Sequence, residues 1–150
     1  MTACGQKLIE INARMGGFFI RDWIHHLYGI DLALVAMMIS CDVKSFLFIQ
    51  EVTQVIVGVL LVPSKHKHIL LDNEKLELLR TMHKNKEILF TEWRHEEDYG
   101  KRTDIYEMPE ASVAVACNTV RECKARLIEL CKEFKITSNT YNVESFIEVF

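Results

Sequence analysis

The 150-residue sequence predicts an α+β (mixed α/β) fold. Segments with apolar residues at helical spacing alternate irregularly with β-branched runs, and at least one pair of these runs is expected to be antiparallel. With 49% hydrophobic residues, the chain is long and apolar enough to bury a core of its own. One domain is therefore the default expectation.

A strand over residues 7–12 is the first predicted element, and a charged, glycine-rich turn comes after it. Side chains alternate along a strand, so Glu10 and Asn12 lie on the same face, opposite two isoleucines. Carboxylate and amide oxygens suit Mg²⁺, which completes its shell with water and phosphate oxygens. Arg14 adds a positive charge just beyond the strand. Taken alone, however, Glu-x-Asn on a strand is more typical of an ordinary solvent-facing pair.

Gly16 and Gly17 come next, and a tight turn from strand to helix accounts for both. A helix N-terminus at this point can also bind phosphate, because its first N–H groups lack partners within the helix.

Two helices are predicted after this turn. Apolar residues recur at helical spacing from Ile20 to Leu27, and Gly29 is the predicted end of the first helix. Asp31 is the predicted N-cap of a second helix that runs to about Cys41. This second helix is apolar on nearly all sides, so we expect it to be buried. Together the two helices are expected to form a layer under the first strand.

The middle of the chain is predicted to contain a buried strand, a turn and a helix. Residues 54–62 are apolar, β-branched and continuous up to Pro63, which predicts a strand covered on both faces. Residues 64–68, which include the His66-Lys67-His68 run, are interpreted as a solvated polar turn. Asn73 is the predicted N-cap of a helix that runs to about Lys84.

The last third is predicted to contain two strands and a long helix. The strands cover residues 88–93 and 112–117, and the charged residues 94–102 between them are interpreted as a solvated loop. Asn118 or Thr119 caps the helix, which runs from Val120 to Phe134. The apolar residues of this helix fit one face with a 3.6-residue period: Val120, Cys123, Leu127, Leu130, Cys131 and Phe134.

Composition argues against several classes of protein. The net charge is −3 and the basic residues are scattered, which argues against a nucleic-acid-binding surface. Five cysteines without a Cys-x-x-Cys pair favour reduced thiols in a cytoplasmic protein. The longest apolar run, Leu32–Ile39, is far shorter than the roughly 20 residues that span a bilayer. His25 and His26 are expected to pack or cap, since adjacent residues diverge around a helix.

The segment from Glu10 to Gly17, followed by Tyr28-Gly29-Ile30-Asp31-Leu32, resembles the C-terminal part of the ATP-grasp ligases, in particular those of the carnosine synthase type. The resemblance extends through Trp23-Ile24 and returns at residues 112–117 and the helix after them. It implies the C-terminal portion of an ATP-grasp fold, without the N-terminal lobes that grip ATP. Residues 1–50 would be the end of the ATP-grasp core, and residues 51–150 a C-terminal α+β subdomain.

By this resemblance, Glu10 and Asn12 would bind the Mg²⁺ or Mn²⁺ ions that bridge the phosphates of ATP, and Arg14 would be the catalytic arginine. Gly16 and Gly17 would lie beside the nucleotide. Such ligases phosphorylate a carboxylate with ATP, and an amine then attacks the acyl phosphate. The substrates of the carnosine synthase type are β-alanine and L-histidine. The isolated chain is expected to be inactive, because the lobes and a further acidic ligand would precede Met1.

Two alternatives stay open from the sequence. The chain can come from an ATP-grasp ligase or carboxylase with other substrates, or it can be a truncated, non-catalytic module for binding or assembly. A homo-oligomer is also compatible with the sequence.

Overall fold

The structure is a computed structural model that describes residues 19–44, 51–93 and 109–148. The chain divides into two compact units, Met1–Gln50 and Glu51–Phe150. The predicted opening strand and the charged loop over residues 94–102 lie outside the described residues.

The first unit contains helices α1, Ile20–Tyr28, and α2, Leu32–Ser40. Both were expected from the apolar spacing, and their bounds agree with the sequence within one residue. The two helices contact each other and are bent by 96° relative to one another across a short connection. Within the described residues, no single helix is long and apolar enough to cross a membrane; only this bent pair meets that test, by length and composition alone.

The predicted burial of α2 is wrong. None of its residues is buried, and Leu34, Met37 and Ile39 are 55%, 68% and 65% exposed. Helix α1 contacts α2, and one helix can cover only one side of another. Several apolar side chains of α2 are therefore exposed among the described residues.

The described residues of the second unit form an antiparallel sheet and four helices. Its elements, in chain order, are β1 Val55–Leu61, α3 Pro63–Leu70, α4 Asn73–Lys84, β2 Leu89–Glu92, β3 Ala111–Cys117, α5 Val120–Glu133 and α6 Val143–Glu148. The strand order is β1-β3-β2, and both pairings are antiparallel. The mixed α/β class and the antiparallel pairing predicted from the sequence are therefore confirmed.

Strand β1 was expected to be covered on both faces, but this is wrong for most of its length. In the sheet formed by the described residues it is an edge strand, and of its seven residues only Leu61 is buried. The central strand is β3, which pairs with β1 over its full length and with β2 over four residues. A central strand has neighbours on both sides, so six of the seven β3 residues are buried although the strand is rich in alanine.

The core of the second unit lies between one face of the sheet and the helices. Alternate β3 residues, Ala111, Val113, Val115 and Cys117, belong to it, as the two-residue period of a strand requires. They pack with Leu61 and Phe90 of the neighbouring strands and with the apolar sides of the helices. The helical and loop members of the core are Ile69, Leu70, Leu76, Leu79, Ile88, Cys123, Leu127, Leu130, Cys131, Phe134, Ile136, Val143 and Ile147.

Residues 64–68 form part of helix α3, so the predicted polar turn is wrong. Proline is favoured in the first turn of a helix, where its missing N–H costs nothing, and Pro63 occupies that place. The backbone of His66 departs from helical geometry (φ −120°, ψ 22°), which introduces a kink. Ile69 and Leu70 of the following turn are buried.

Side-chain caps define the starts of the other long helices. Asp72, rather than the predicted Asn73, caps α4 by accepting hydrogen bonds from the amides of Glu74 and Lys75. Thr119 caps α5 through the amide of Glu122, at 3.2 Å. The predicted apolar face of α5 is buried, except that Val120 in its first turn is 46% exposed.

Candidate functional site

All the residues predicted to form the site lie outside the described residues: Glu10, Asn12, Arg14, Gly16 and Gly17. Their roles as metal ligands, catalytic arginine and nucleotide-side glycines stay predictions. The structure does describe the helix closest to them along the chain, because α1 begins at Ile20, three residues after the second glycine.

The corner between α1 and α2 has two well-defined helix ends. Gly29 adopts the left-handed conformation (φ 69°), and its N–H donates to the carbonyl oxygen of His25 at 2.9 Å. A residue without a Cβ adopts this conformation without steric cost. Two residues later, an Asp31 carboxylate oxygen accepts hydrogen bonds from the amides of Ala33 at 2.9 Å and Leu34 at 3.3 Å. The predicted helix end and helix cap are both confirmed.

Asp31 also forms an ion pair with Arg21 of α1, at 3.4 Å between the guanidinium nitrogen and the carboxylate oxygen. The pKa of Asp31 is lowered, chiefly by the hydrogen bond from the Leu34 amide and further by the Ala33 amide and the positive charge of Arg21. The carboxylate is therefore ionised at neutral pH. Its hydrogen bonds and its ion pair stabilise the corner between α1 and α2. The Tyr-Gly-Ile-Asp part of the motif thus has a structural role at this position.

The described residues do not assemble a metal centre of their own. Across residues 19–44, 51–93 and 109–148, no group of three or more His, Cys, Asp or Glu side chains is placed to hold a metal ion. His25 and His26 lie in the last turn of α1, and both are exposed.

A histidine that the sequence analysis assigned to solvent is fully buried in the second unit. The Val62 amide donates to Nδ1 of His66 at 2.9 Å, and Nε2 lies 3.3 Å from the carbonyl oxygen of Ile136. Nδ1 also lies 3.1 Å from the carbonyl oxygen of Val62. The ring therefore connects the start of α3 to the segment after α5, and its nitrogens bind backbone groups.

Tyr141 packs edge-on against this histidine, with 4.7 Å between the ring centroids. Its hydroxyl donates to the carbonyl oxygen of Leu60 on β1, at 2.8 Å. Burial raises the pKa of Tyr141, so the hydroxyl stays protonated and acts as a donor at neutral pH. Through these hydrogen bonds, His66 and Tyr141 connect strand β1, the start of α3 and the segment after α5.

One sequence signal could have identified His66 as buried. His66, Ile69 and Leu70 are separated by three and four residues, which places them on one face of a helix that begins at Pro63. The hydrophilic residues on either side of His66 favoured the turn interpretation instead.

The buried cysteines of the second unit are core residues, as the sequence analysis favoured. The Cys123 thiol donates to the carbonyl oxygen of Val55 at 3.0 Å, and burial is the main cause that raises its pKa to about 11. Burial likewise raises the pKa of Cys131 to about 12. Both thiols are protonated at neutral pH, and a protonated thiol is a poor nucleophile.

Comparison with curated proteins finds similarity to carnosine synthases. The chain is 35% identical to Carnosine synthase 1 of Homo sapiens and 34% identical to that of Mus musculus, in both cases over 151 aligned positions. The protein of the same name from Gallus gallus is 32% identical. Each match covers 100% of the chain but only 16–18% of the relative.

No family model matches the chain. No solved structure matches it either. The chain thus spans less than a fifth of the length of the curated relatives, while the relatives cover the whole of it. The resemblance noted at the opening motif is confirmed: over its whole length, the chain is similar to one partial region of the carnosine synthases.

Proposed function

We propose that this chain is the C-terminal part of an ATP-grasp ligase that joins a carboxylate to an amine. The observation that carries the proposal is the similarity to carnosine synthases over 100% of the chain, which includes the motif from Glu10 to Gly17. The mixed α/β architecture of the second unit is compatible with the C-terminal subdomain expected there.

The proposed reaction is the synthesis of carnosine, the product in the names of the relatives, by the steps that the family resemblance implies. ATP transfers its γ-phosphoryl group to the carboxylate of β-alanine, giving ADP and an acyl phosphate. The amine of L-histidine then attacks the carbonyl carbon, phosphate leaves, and carnosine is formed. Phosphoryl transfer of this kind depends mainly on positioning and on electrostatic stabilisation of the transferred group.

Glu10 and Asn12 are the proposed ligands of Mg²⁺ or Mn²⁺. The donor set fits these ions, because carboxylate and amide oxygens are hard ligands and phosphate oxygens commonly complete the shell. When bound, the ion would neutralise negative charge on the phosphates. One carboxylate and one amide give few ligands, so phosphates and residues elsewhere in the ligase are expected to complete the site.

Arg14 is the proposed catalytic residue. Negative charge develops on the carbonyl oxygen when the amine attacks the acyl phosphate, and a guanidinium beside that oxygen stabilises it. Single donors of this kind contribute about 3 kcal/mol in a site that excludes water. Gly16 and Gly17 are proposed to let the backbone approach the nucleotide closely, since neither carries a Cβ.

The 150 residues alone are proposed to be inactive. The relatives are more than five times as long as the matched region, and the lobes that grip ATP are expected in the remainder. We place the ligase in the cytoplasm, in accordance with free thiols at Cys41, Cys117, Cys123 and Cys131.

The test begins with the natural polypeptide that contains the peptide Val113–Lys124, isolated from its source cells. Its intact mass is measured, and it is then assayed for ADP release with ATP, Mg²⁺, β-alanine and L-histidine. We expect a mass several times the 17.5 kDa of this chain, and ADP release that requires both amino acids and yields carnosine.

Two results would contradict the proposal in different ways. ADP release with other acid and amine pairs, but not with β-alanine and L-histidine, would keep the ligase and reject its substrates. A mass near 17.5 kDa without any response to ATP would instead indicate a non-catalytic binding or assembly module.

A further inference from the structure

Two buried cysteines of the second unit lie where strand β3 ends and helix α5 begins. Cys117 is the last residue of β3, and Cys123 lies near the start of α5, which begins at Val120. Both side chains belong to the core, with exposures of 5% and 0%. Both thiols are free, and the proposed ligase reaction uses neither of them.

Two backbone contacts place the sulfur of Cys123 beside Cys117. The sulfur lies 3.0 Å from the carbonyl oxygen of Val55 and 3.4 Å from that of Val115. Val55 is the cross-strand partner of Cys117, and directly opposed residues of antiparallel strands have Cα atoms about 4.5–5.5 Å apart. Val115 is two residues before Cys117 on the same face of β3. The side chains of Cys117 and Cys123 therefore meet in the core.

The electrostatics of Cys123 agree with this placement. Burial is the main cause that raises its pKa to about 11, and a hydrogen bond with the Cys117 side chain is the next. Cys131 provides a contrast on the same helix. It lies about 12 Å from Cys123 along the helix axis, and burial is the cause that raises its pKa.

We propose that Cys117 and Cys123 are an oxidative modification site, at which a disulfide oxidant such as glutathione disulfide joins the two sulfur atoms. The geometry that carries this inference lies within the second unit, so it does not depend on the proposed ligase function.

The reaction is a thiol–disulfide exchange in two steps. The thiolate of Cys117, the more exposed of the two, attacks one sulfur of glutathione disulfide, and one glutathione thiolate leaves. The thiolate of Cys123 then attacks the Cys117 sulfur, and the second glutathione thiolate leaves. The protons lost by the two cysteines go to the two glutathione thiolates. One glutathione disulfide is therefore reduced for each protein disulfide that forms.

Burial makes this exchange slow. A buried, protonated thiol is a poor nucleophile, so the start of α5 has to separate from the sheet before either sulfur reacts. The equilibrium does not depend on this rate. A fold that holds two thiols together raises their effective concentration and so favours the bond between them.

Equilibration with glutathione tests the proposal. The 150-residue chain is incubated with mixtures of reduced and oxidised glutathione until its composition is constant, once folded and once in concentrated urea. N-ethylmaleimide then stops the exchange, and mass spectrometry of the peptides measures the fraction in which Cys117 and Cys123 are joined. We expect the equilibrium constant for this disulfide to be at least about tenfold larger in the folded chain than in urea.

A pair of substitutions provides the control. Cys131→Ala removes another buried thiol of α5 and should leave the equilibrium constant of the folded chain within about twofold of the wild-type value. Cys117→Ala should leave Cys123 without a disulfide inside the chain. An equal or smaller constant in the folded wild-type chain than in urea would overturn the proposal. A bond from Cys123 to Cys131 or to Cys41 in the folded chain would overturn it as well.

The melting temperature gives a second measurement that needs no variant. A disulfide that forms more readily in the folded chain must stabilise the folded chain by the same factor. After removal of glutathione, the oxidised chain is therefore expected to melt at a temperature higher than that of the reduced chain by about 3 °C or more. An unchanged or lower melting temperature would contradict the proposal.

Discussion

The proposed site residues and the buried polar residues differ in how readily a sequence predicts them. Glu10, Asn12 and Arg14 were predicted as site residues from their residue types and from the family resemblance, and these roles stay predictions. His66 was misassigned, because the hydrophilic residues on either side of it favoured a turn, although its helical spacing to Ile69 and Leu70 is typical of a buried position. In the structure, one of its buried contacts is the carbonyl oxygen of Ile136, 70 residues away.

Arg14→Ala in the full-length ligase is expected to lower kcat about 100-fold, which corresponds to the ~3 kcal/mol of a single charge-stabilising donor. The KM for ATP should change little, because the arginine acts on the acyl transfer step. Steady-state kinetics with saturating amino acids would measure both constants. Arg121→Ala, at an exposed position of α5, is the matched control. An unchanged kcat would remove the catalytic role of Arg14.

Glu10→Gln is expected to raise the Mg²⁺ concentration that gives half-maximal activity, because one charged oxygen ligand becomes neutral. The measurement is a Mg²⁺ titration of ADP release at constant ATP. Glu133→Gln, at an exposed position of α5, should leave the titration unaltered. If both variants give the wild-type titration, Glu10 is not a metal ligand.

His66→Ala is expected to lower the free energy of unfolding by about 2–4 kcal/mol. The change leaves a cavity and removes the ring partners of the Val62 amide and the Ile136 carbonyl. Urea unfolding followed by circular dichroism would measure it. Lys67→Ala, at an exposed position of the same helix, should cost less than about 1 kcal/mol. Equal losses for the two variants would show that burial of His66 contributes nothing.

At the scale of elements, local sequence signals located most helices and strands but did not rank their burial. Asp31, Gly29 and Thr119 mark helix ends by backbone chemistry within a few residues, and the structure confirms all three. Burial depends on neighbours instead, so the apolar α2 is exposed, while the alanine-containing strand β3 is buried.

Thr119→Ala is expected to lower the free energy of unfolding by about 1 kcal/mol, because the Glu122 amide loses its capping oxygen. Asn118→Ala is the matched control one residue away, since the cap is formed by Thr119 alone. The control should change stability by less than about 0.5 kcal/mol. Chemical denaturation of both variants compares them directly, and a larger loss for Asn118→Ala would contradict the assignment of the cap.

At the scale of the whole molecule, the described core belongs to the second unit. All twenty buried hydrophobic residues of the described chain lie between Leu61 and Ile147, whereas α1 and α2 contribute none. The hydrophobic effect stabilises a fold in proportion to the apolar area that it buries. Among the described residues, only those of the second unit therefore form a buried apolar core.

A segment comprising residues 51–150 is expected to fold by itself and to unfold cooperatively, since it contains the sheet, four helices and the core. Residues 1–50 alone should show little cooperative unfolding. Thermal unfolding of the two segments, followed by circular dichroism, would test this. A gradual loss of signal from residues 51–150, without a transition, would contradict it.

Local sequence was sufficient to predict the mixed α/β class, the ends of most helices, the reduced state expected for the cysteines and the family resemblance that comparison confirmed. Each of these depends on the overall composition or on residue types that are close together in the sequence. Both can be interpreted without knowing which distant segments come into contact. Three features emerged only from the tertiary structure: which strand is central, the burial of His66 against the Ile136 carbonyl, and the exposed apolar residues of α2. These features depend on which distant segments come together, and a local pattern cannot specify its own neighbours.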